Sequence, residues 1–232
     1  MFSKRLFLMF LFAATLIGGC IFGSNDDKKK DELTSIEQLT MGGGVFIFHE
    51  EEFGVAQIAT FYGLEPYEDA AVFVNGIQLA NNGGIHTNAD VLNLEVLTSR
   101  PFIRIVVYAL GDSLAEEIAI PESPVIVKPE AGAVVTAGNN LDVEIGFPGN
   151  HQYIAMTILD QEKVAFGEET SLTLLSVTID GEKLPNVGTF PLNAYAVNTS
   201  GDIPEEFDIN NQYKIFLVTA VTVRNITFTN PD

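Results

Sequence analysis

From residue 41 onward the sequence repeats one pattern: short runs of β-branched and aromatic residues, alternating or continuous, cut by Gly, Asn, Asp, Ser and Pro. No segment in this region carries apolar positions at helical spacing for a useful length. Such a chain must bury its apolar surface between sheets rather than between helices. Strands are expected over residues 45–49, 53–61, 71–75, 77–80, 91–97, 102–110 and 114–120, then over 125–127, 134–136, 141–147, 153–159, 163–166, 171–179, 189–197 and 213–228. The breaks are turn chemistry: Asn75-Gly76 is a two-residue hairpin signal, Asn81 to Gly84 an Asn/Gly loop, and Gly111-Asp112-Ser113 and Asp180-Gly181 further turns.

The first series, seven strands in about eighty residues, has the cadence of a β-sandwich. Pro121-Glu122-Ser123-Pro124 interrupts it, because proline cannot donate to a ladder and fixes an extended connector. The fold class expected is therefore all-β, with two tandem antiparallel β-sandwich domains over residues 41–121 and 122–232.

The run from Pro124 through Val125, Ile126, Val127, Lys128 and Pro129 to Gly132, followed by Gly138, Asn139, Asn140, Leu141, Asp142, Val143, Glu144 and Ile145, resembles the opening strands of bacterial immunoglobulin-like or fibronectin type III-like modules. Val72-Phe73-Val74-Asn75-Gly76 and Val177-Thr178-Ile179-Asp180-Gly181 look like the hairpins common in such envelope repeats. The resemblance implies immunoglobulin-like sandwiches. The tryptophan and the cysteine pair of classical immunoglobulin domains are missing.

The N-terminus supplies an address. Lys4 and Arg5 precede an apolar run from Leu6 to Ile17, too short to span a bilayer as a helix, which needs about 20 residues. Ile17-Gly18-Gly19-Cys20 resembles the lipobox of bacterial lipoproteins. That resemblance implies a signal peptide over 1–19, cleavage between Gly19 and Cys20, palmitate-type acylation of Cys20, and an envelope protein held by several fatty chains, since one chain alone holds only marginally. Ile21 rather than aspartate after the cysteine implies the outer membrane over the inner, with the folded part periplasmic or surface-exposed. Cys20 is the sole cysteine, so no internal disulfide can form. Residues 20–40 carry too much charge and too little apolar content at their start to collapse, and read as a flexible tether containing Lys28 to Lys30 flanked by acids.

With 12 basic and 31 acidic side chains, net charge −19, the chain is a poor partner for nucleic acid or other polyanions as a whole. Seventeen phenylalanines against no tryptophan point to a core of Phe, Val, Ile and Leu.

Candidate chemistry is sparse. His49, His86 and His151 fall in different elements and show no metal-ligand spacing; His86 is expected as a solvated loop residue. No nucleophile motif accompanies them. The carboxylate runs Glu50-Glu51-Glu52, Glu116-Glu117 and Glu168-Glu169 read as solvated edges, because neighbours on a strand point to opposite faces. Asp202, Glu205, Glu206 and Asp208 concentrate oxygen donors in one loop and are candidate calcium ligands, without an EF-hand frame. Phe61, Tyr62 and Tyr67, beside Pro66, are candidate ligand-contacting aromatics, or else close one end of the core.

The function these features favour is a non-enzymatic, lipid-anchored envelope protein whose sandwiches bind a protein or surface polymer or serve in envelope assembly. The alternatives are a calcium-stabilised adhesin-like surface module and a carboxylate-based surface glycan hydrolase. No nucleic-acid partner and no cofactor other than calcium is expected.

Overall fold

The computed structural model describes residues 33–63, 65–88, 92–158, 173–184, 187–203 and 212–230, and the backbone of 165–169. It is all-β. Eighteen strands make up the described fold: β1 (Thr40–Phe48), β2 (Phe53–Tyr62), β3 (Glu65–Pro66), β4 (Ala71–Val74), β5 (Ile77–Gln78), β6 (Ala80–Asn82), β7 (Ile85–Thr87), β8 (Leu92–Asn93), β9 (Phe102–Ala109), β10 (Asp112–Ala119), β11 (Val125–Lys128), β12 (Val134–Thr136), β13 (Leu141–Gly146), β14 (Tyr153–Ile158), β15 (Ala165–Glu169), β16 (Leu174–Ile179), β17 (Gly188–Thr199) and β18 (Lys214–Thr229). One short helix, α1 (Leu94–Thr98), follows β8.

Two small sheets, β10-β9-β4-β5 and β11-β13-β16, face one large sheet whose main path runs β15-β14-β17-β18-β1-β2-β7-β6. Two sandwiches result, with separate cores. The first is built from Val45, Ile47, Ile58, Val72, Val74, Ile103, Ile105 and Val107. The second is built from Val143, Ile145, Phe147, Ile154, Met156, Leu192, Ala194 and Ala196.

Strand β18 belongs to both. Its first half pairs in parallel with β1, from Met41↔Lys214 to Phe48↔Val221, while its antiparallel ladder with β17 runs from Thr199↔Leu217 to Gly188↔Phe228. Alternation along a strand puts its even-numbered residues on one face. Phe216 and Val218 thereby enter the first core, and Ile226 and Phe228 the second. Burying such side chains stabilises by about 1.5–3 kcal/mol each. Two polar side chains in the stretch between fasten the connector: the Thr222 hydroxyl donates to the Pro124 carbonyl at 2.6 Å, and the Arg224 guanidinium to the carbonyls of Ile126 and Pro129 at 2.6 and 2.8 Å. The parallel pairings β1·β18 and β12·β18 depart from the purely antiparallel sheets expected.

The first strand can lie this close to two neighbours because of Gly42-Gly43-Gly44. Gly43 adopts φ 136°, and a Cβ there would drive into the Gln57 carbonyl; one on Gly44 would come within 2.9 Å of the Leu217 Cβ.

Local departures have identifiable causes. The strand expected over 91–97 becomes β8 and then α1, because the Asn93 side chain accepts from the Glu95 amide at 2.7 Å and starts a helical turn. Leu97, one turn in, is fully buried. Asp180 likewise caps a 3-10 turn over Gly181–Lys183 rather than making a hairpin. The loop expected over 81–84 is a hairpin between β6 and β7, turning on Gly83-Gly84 with φ 60° and 78°. Asn75-Gly76 is a two-residue turn as expected, with positive φ at both positions.

Candidate functional site

On strand β9 the odd-numbered residues Ile103, Ile105, Val107 and Ala109 fill the first core, so Phe102, Arg104, Val106 and Tyr108 take the outer face. Ala71 and Phe73 stand on the same face of neighbouring β4, by the register Ala71↔Tyr108 and Phe73↔Val106. Among the described residues no further layer covers this face, and α1 with its following residues forms one wall. Together they enclose an open groove of about 790 Å³ lined by Phe73, Asn75, Arg100, Arg104, Val106 and Tyr108, among others.

The floor is aromatic and ordered. Phe73 and Tyr108 meet edge to face, ring centroids 5.6 Å apart at 89°, although Tyr108 is 51% exposed. That geometry aligns a ring edge with a ring face and leaves the outer surface of the tyrosine free to stack.

The wall is held by one side chain. Asn75 occupies the left-handed region at φ 49° in its hairpin, which asparagine tolerates better than most residues. Its Oδ1 accepts from the Arg104 amide at 2.8 Å and its Nδ2 donates to the Leu97 carbonyl at 3.2 Å. It thus ties the end of α1 to β9 and sets the spacing of the groove.

The charge is unusual for this chain. Arg100 and Arg104 are the only basic residues between positions 41 and 121, and both line the groove. The Arg100 guanidinium lies 5.9 Å from the Phe102 ring centroid, within cation–π range. Neither arginine forms an ion pair among the described residues, although Glu117 stands opposite Arg104 in the β9–β10 register. Of the other described cations, Lys128 pairs with Glu144 at 3.0 Å, Lys214 with Glu37, and Arg224 with main-chain carbonyls, while Lys183 forms no ion pair among the described residues.

The residues singled out from sequence lie elsewhere. Tyr67 is 5% exposed within the first core, where burial and then Asp69 raise its phenol pKa. Tyr62 is half-buried against that core, and Phe61 is half-buried beside it on β2. Asp202 is exposed; Glu205, Glu206 and Asp208 lie outside the described residues, as do Gly19 and Cys20. No group of three or more His, Cys, Asp or Glu side chains that could hold a metal occurs among the described residues.

His86 corrects the expectation of a solvated loop. It sits on β7 opposite Ile58 and is fully buried, because the strand register turns it onto the core face. The Thr60 hydroxyl donates to the Tyr67 carbonyl at 2.7 Å, which leaves its oxygen to accept Nε2–H of His86 at 3.3 Å. Nδ1 then has no partner among the described residues, and burial lowers the pKa to about 4. His49 is lowered by burial as well.

The groove was missed because its residues are scattered over two strands and a helix that read as strand. The signal that could have found it is the isolation of Arg100 and Arg104 in an acidic sequence.

No family model and no curated protein matches the chain. Among solved structures it is similar to a Ca2+-stabilized adhesin that helps an Antarctic bacterium bind ice, at 14% identity over 82% of this chain and 49% of that one, TM-score 0.28. A titin segment, I67–I69, is similar at 9% identity over 83% and 64% of the two chains, TM-score 0.26. The DIP-gamma IG1+IG2 pair is similar at 10% identity over 83% and 95%, TM-score 0.21. The chain thus spans about half the length of the adhesin and just under two thirds of the titin segment. Likenesses at these scores carry no argument about ligand or partner.

Proposed function

We propose that this protein is a non-enzymatic binding module of a bacterial cell envelope, held to a membrane through lipidated Cys20 and presenting the outer face of its first sandwich to a partner. The groove between β4, β9 and α1 carries the reading: a sheet face that, among the described residues, is uncovered and holds oriented aromatics and two arginines without an ion pair supports a recognition surface. The lipobox-like Ile17-Gly18-Gly19-Cys20 supports the anchor, and the charged residues after it support a tether that holds the sandwiches off the bilayer. Ile21 favours the outer membrane, with the folded part on its periplasmic or external side.

The test is fractionation of cells expressing the full chain or Cys20→Ser, with metabolic labelling by a clickable fatty acid. The native chain is expected to label and to sediment with membranes, and the variant to remain unlabelled and leave the membrane fraction. Equal membrane retention and equal labelling of both would overturn the anchor.

A further inference from the structure

We propose that the groove over β4 and β9 binds an acidic polysaccharide, with Arg100 and Arg104 engaging the carboxylates of uronic acid residues and Tyr108 stacking on a sugar ring. The inference rests on the reading of this chain as a binding module and names the ligand class of the same surface.

Charge is the first argument. A chain of net charge −19 repels polyanions at long range, yet the only two Lys or Arg side chains of residues 41–121 line one groove, and neither has an ion-pair partner among the described residues. Guanidinium groups present paired donors that match a carboxylate in bidentate fashion, and they are weakly hydrated enough to leave water for it. The residue interval Arg100-Pro101-Phe102-Ile103-Arg104 puts one arginine at the groove wall and the other on its floor, so successive carboxylates along a chain can meet both.

Backbone availability is the second. Strand β9 is paired on both sides, by β10 and β4, and β4 by β9 and β5. The main-chain groups of the floor are therefore engaged in ladders, and an extended peptide has no edge to join there. Recognition has to come from side chains: two forks, one half-exposed phenol and the Phe73 and Val106 surface around it. A sugar ring has a flat apolar face that suits a phenol, and a uronic acid adds the carboxylate. The surrounding acids also argue that binding depends on close contact rather than on long-range attraction.

The test is binding of an oligogalacturonate of about ten sugars to the detergent-solubilised full chain by calorimetry, since a ligand of that length outspans the groove. Its fully methyl-esterified form and oligoglutamate of equal charge are run beside it. Saturable binding that drops at least tenfold in R100Q/R104Q and about tenfold in Y108A, and that the methyl ester does not show, is the expected result. The glutamine variant should keep its melting temperature, because both arginines are exposed; if it does not, R100K/R104K takes its place and is expected to bind several-fold more weakly. Absence of saturable binding, binding unchanged in the arginine variants, equal binding of the methyl ester, or tighter binding of oligoglutamate overturns the proposal. The membrane fractionation above is independent of all four outcomes, so the anchored-module reading can stand or fall separately.

Discussion

The Asn198 side chain donates to the Ala119 carbonyl at 3.0 Å across 79 residues of sequence, and its amide also reaches the Asn150 carbonyl at 3.0 Å. Asn198 lies on β17 of the second sandwich and Ala119 ends the last strand of the first. Asn150 in turn donates to the Ile120 carbonyl at 3.3 Å, so these four residues close the junction at which the chain passes from one sandwich to the next.

Asn198 is only 6% exposed, and removing its amide leaves two carbonyls without that donor. Asn198→Ala is expected to destabilise by about 1–3 kcal/mol. Asn198→Asp should be worse, because a buried carboxylate faces two carbonyl oxygens. Urea unfolding monitored by circular dichroism reads both; a loss below the error of the midpoint would contradict the role assigned to Asn198.

The first sandwich is not expected to fold from its own stretch of sequence. Residues 33–121 alone lack Phe216 and Val218 and leave the β1 edge unpaired along the whole ladder it makes with β18. Expressed alone, this segment should be unfolded or associate, and a peptide of residues 212–230 added in trans should restore dispersed amide signals in NMR spectra. A monomeric, cooperatively melting 33–121 segment would refute this.

His86 makes stability depend on pH. Its folded pKa, about 4, lies below its ordinary value of 6.5, so the unfolded chain binds the extra proton first as pH falls. The contribution is fully present above pH 6.5 and is lost as pH drops through about 4. At about 1.4 kcal/mol per unit the loss reaches roughly 3 kcal/mol. His86→Gln removes the titrating group while keeping a polar side chain beside Thr60. The difference in urea midpoint between native protein and variant should therefore shrink between pH 7 and pH 4, and a constant difference would exclude the effect.

Leu110 holds φ 56° in the two-residue turn Leu110-Gly111 between β9 and β10, a region costly to a leucine, and its side chain is 38% exposed. Leu110→Asn is expected to stabilise by about 0.5–1 kcal/mol, read as a rise in melting temperature. A fall would show that packing of the leucine outweighs the backbone strain.

Much of the molecule follows from pattern alone. Period-two alternation at 102–109 and 141–146 together with turns such as Asn75-Gly76 specifies strands, which face is buried, and hence a two-layer fold, because each half-apolar strand must cover its apolar side. What the pattern does not carry is which strands become neighbours. An alternating strand offers an apolar face to any sheet, so nothing in residues 214–229 tells that their two halves enter different cores. The groove is decided at the same level. Arg100, Arg104, Phe73 and Tyr108 become a surface only because β4 pairs with β9 in one register and Asn75 draws α1 against them. His86 shows the reason in a single residue: its polarity suggests solvent, but its position opposite Ile58 leaves its side chain no direction except inward.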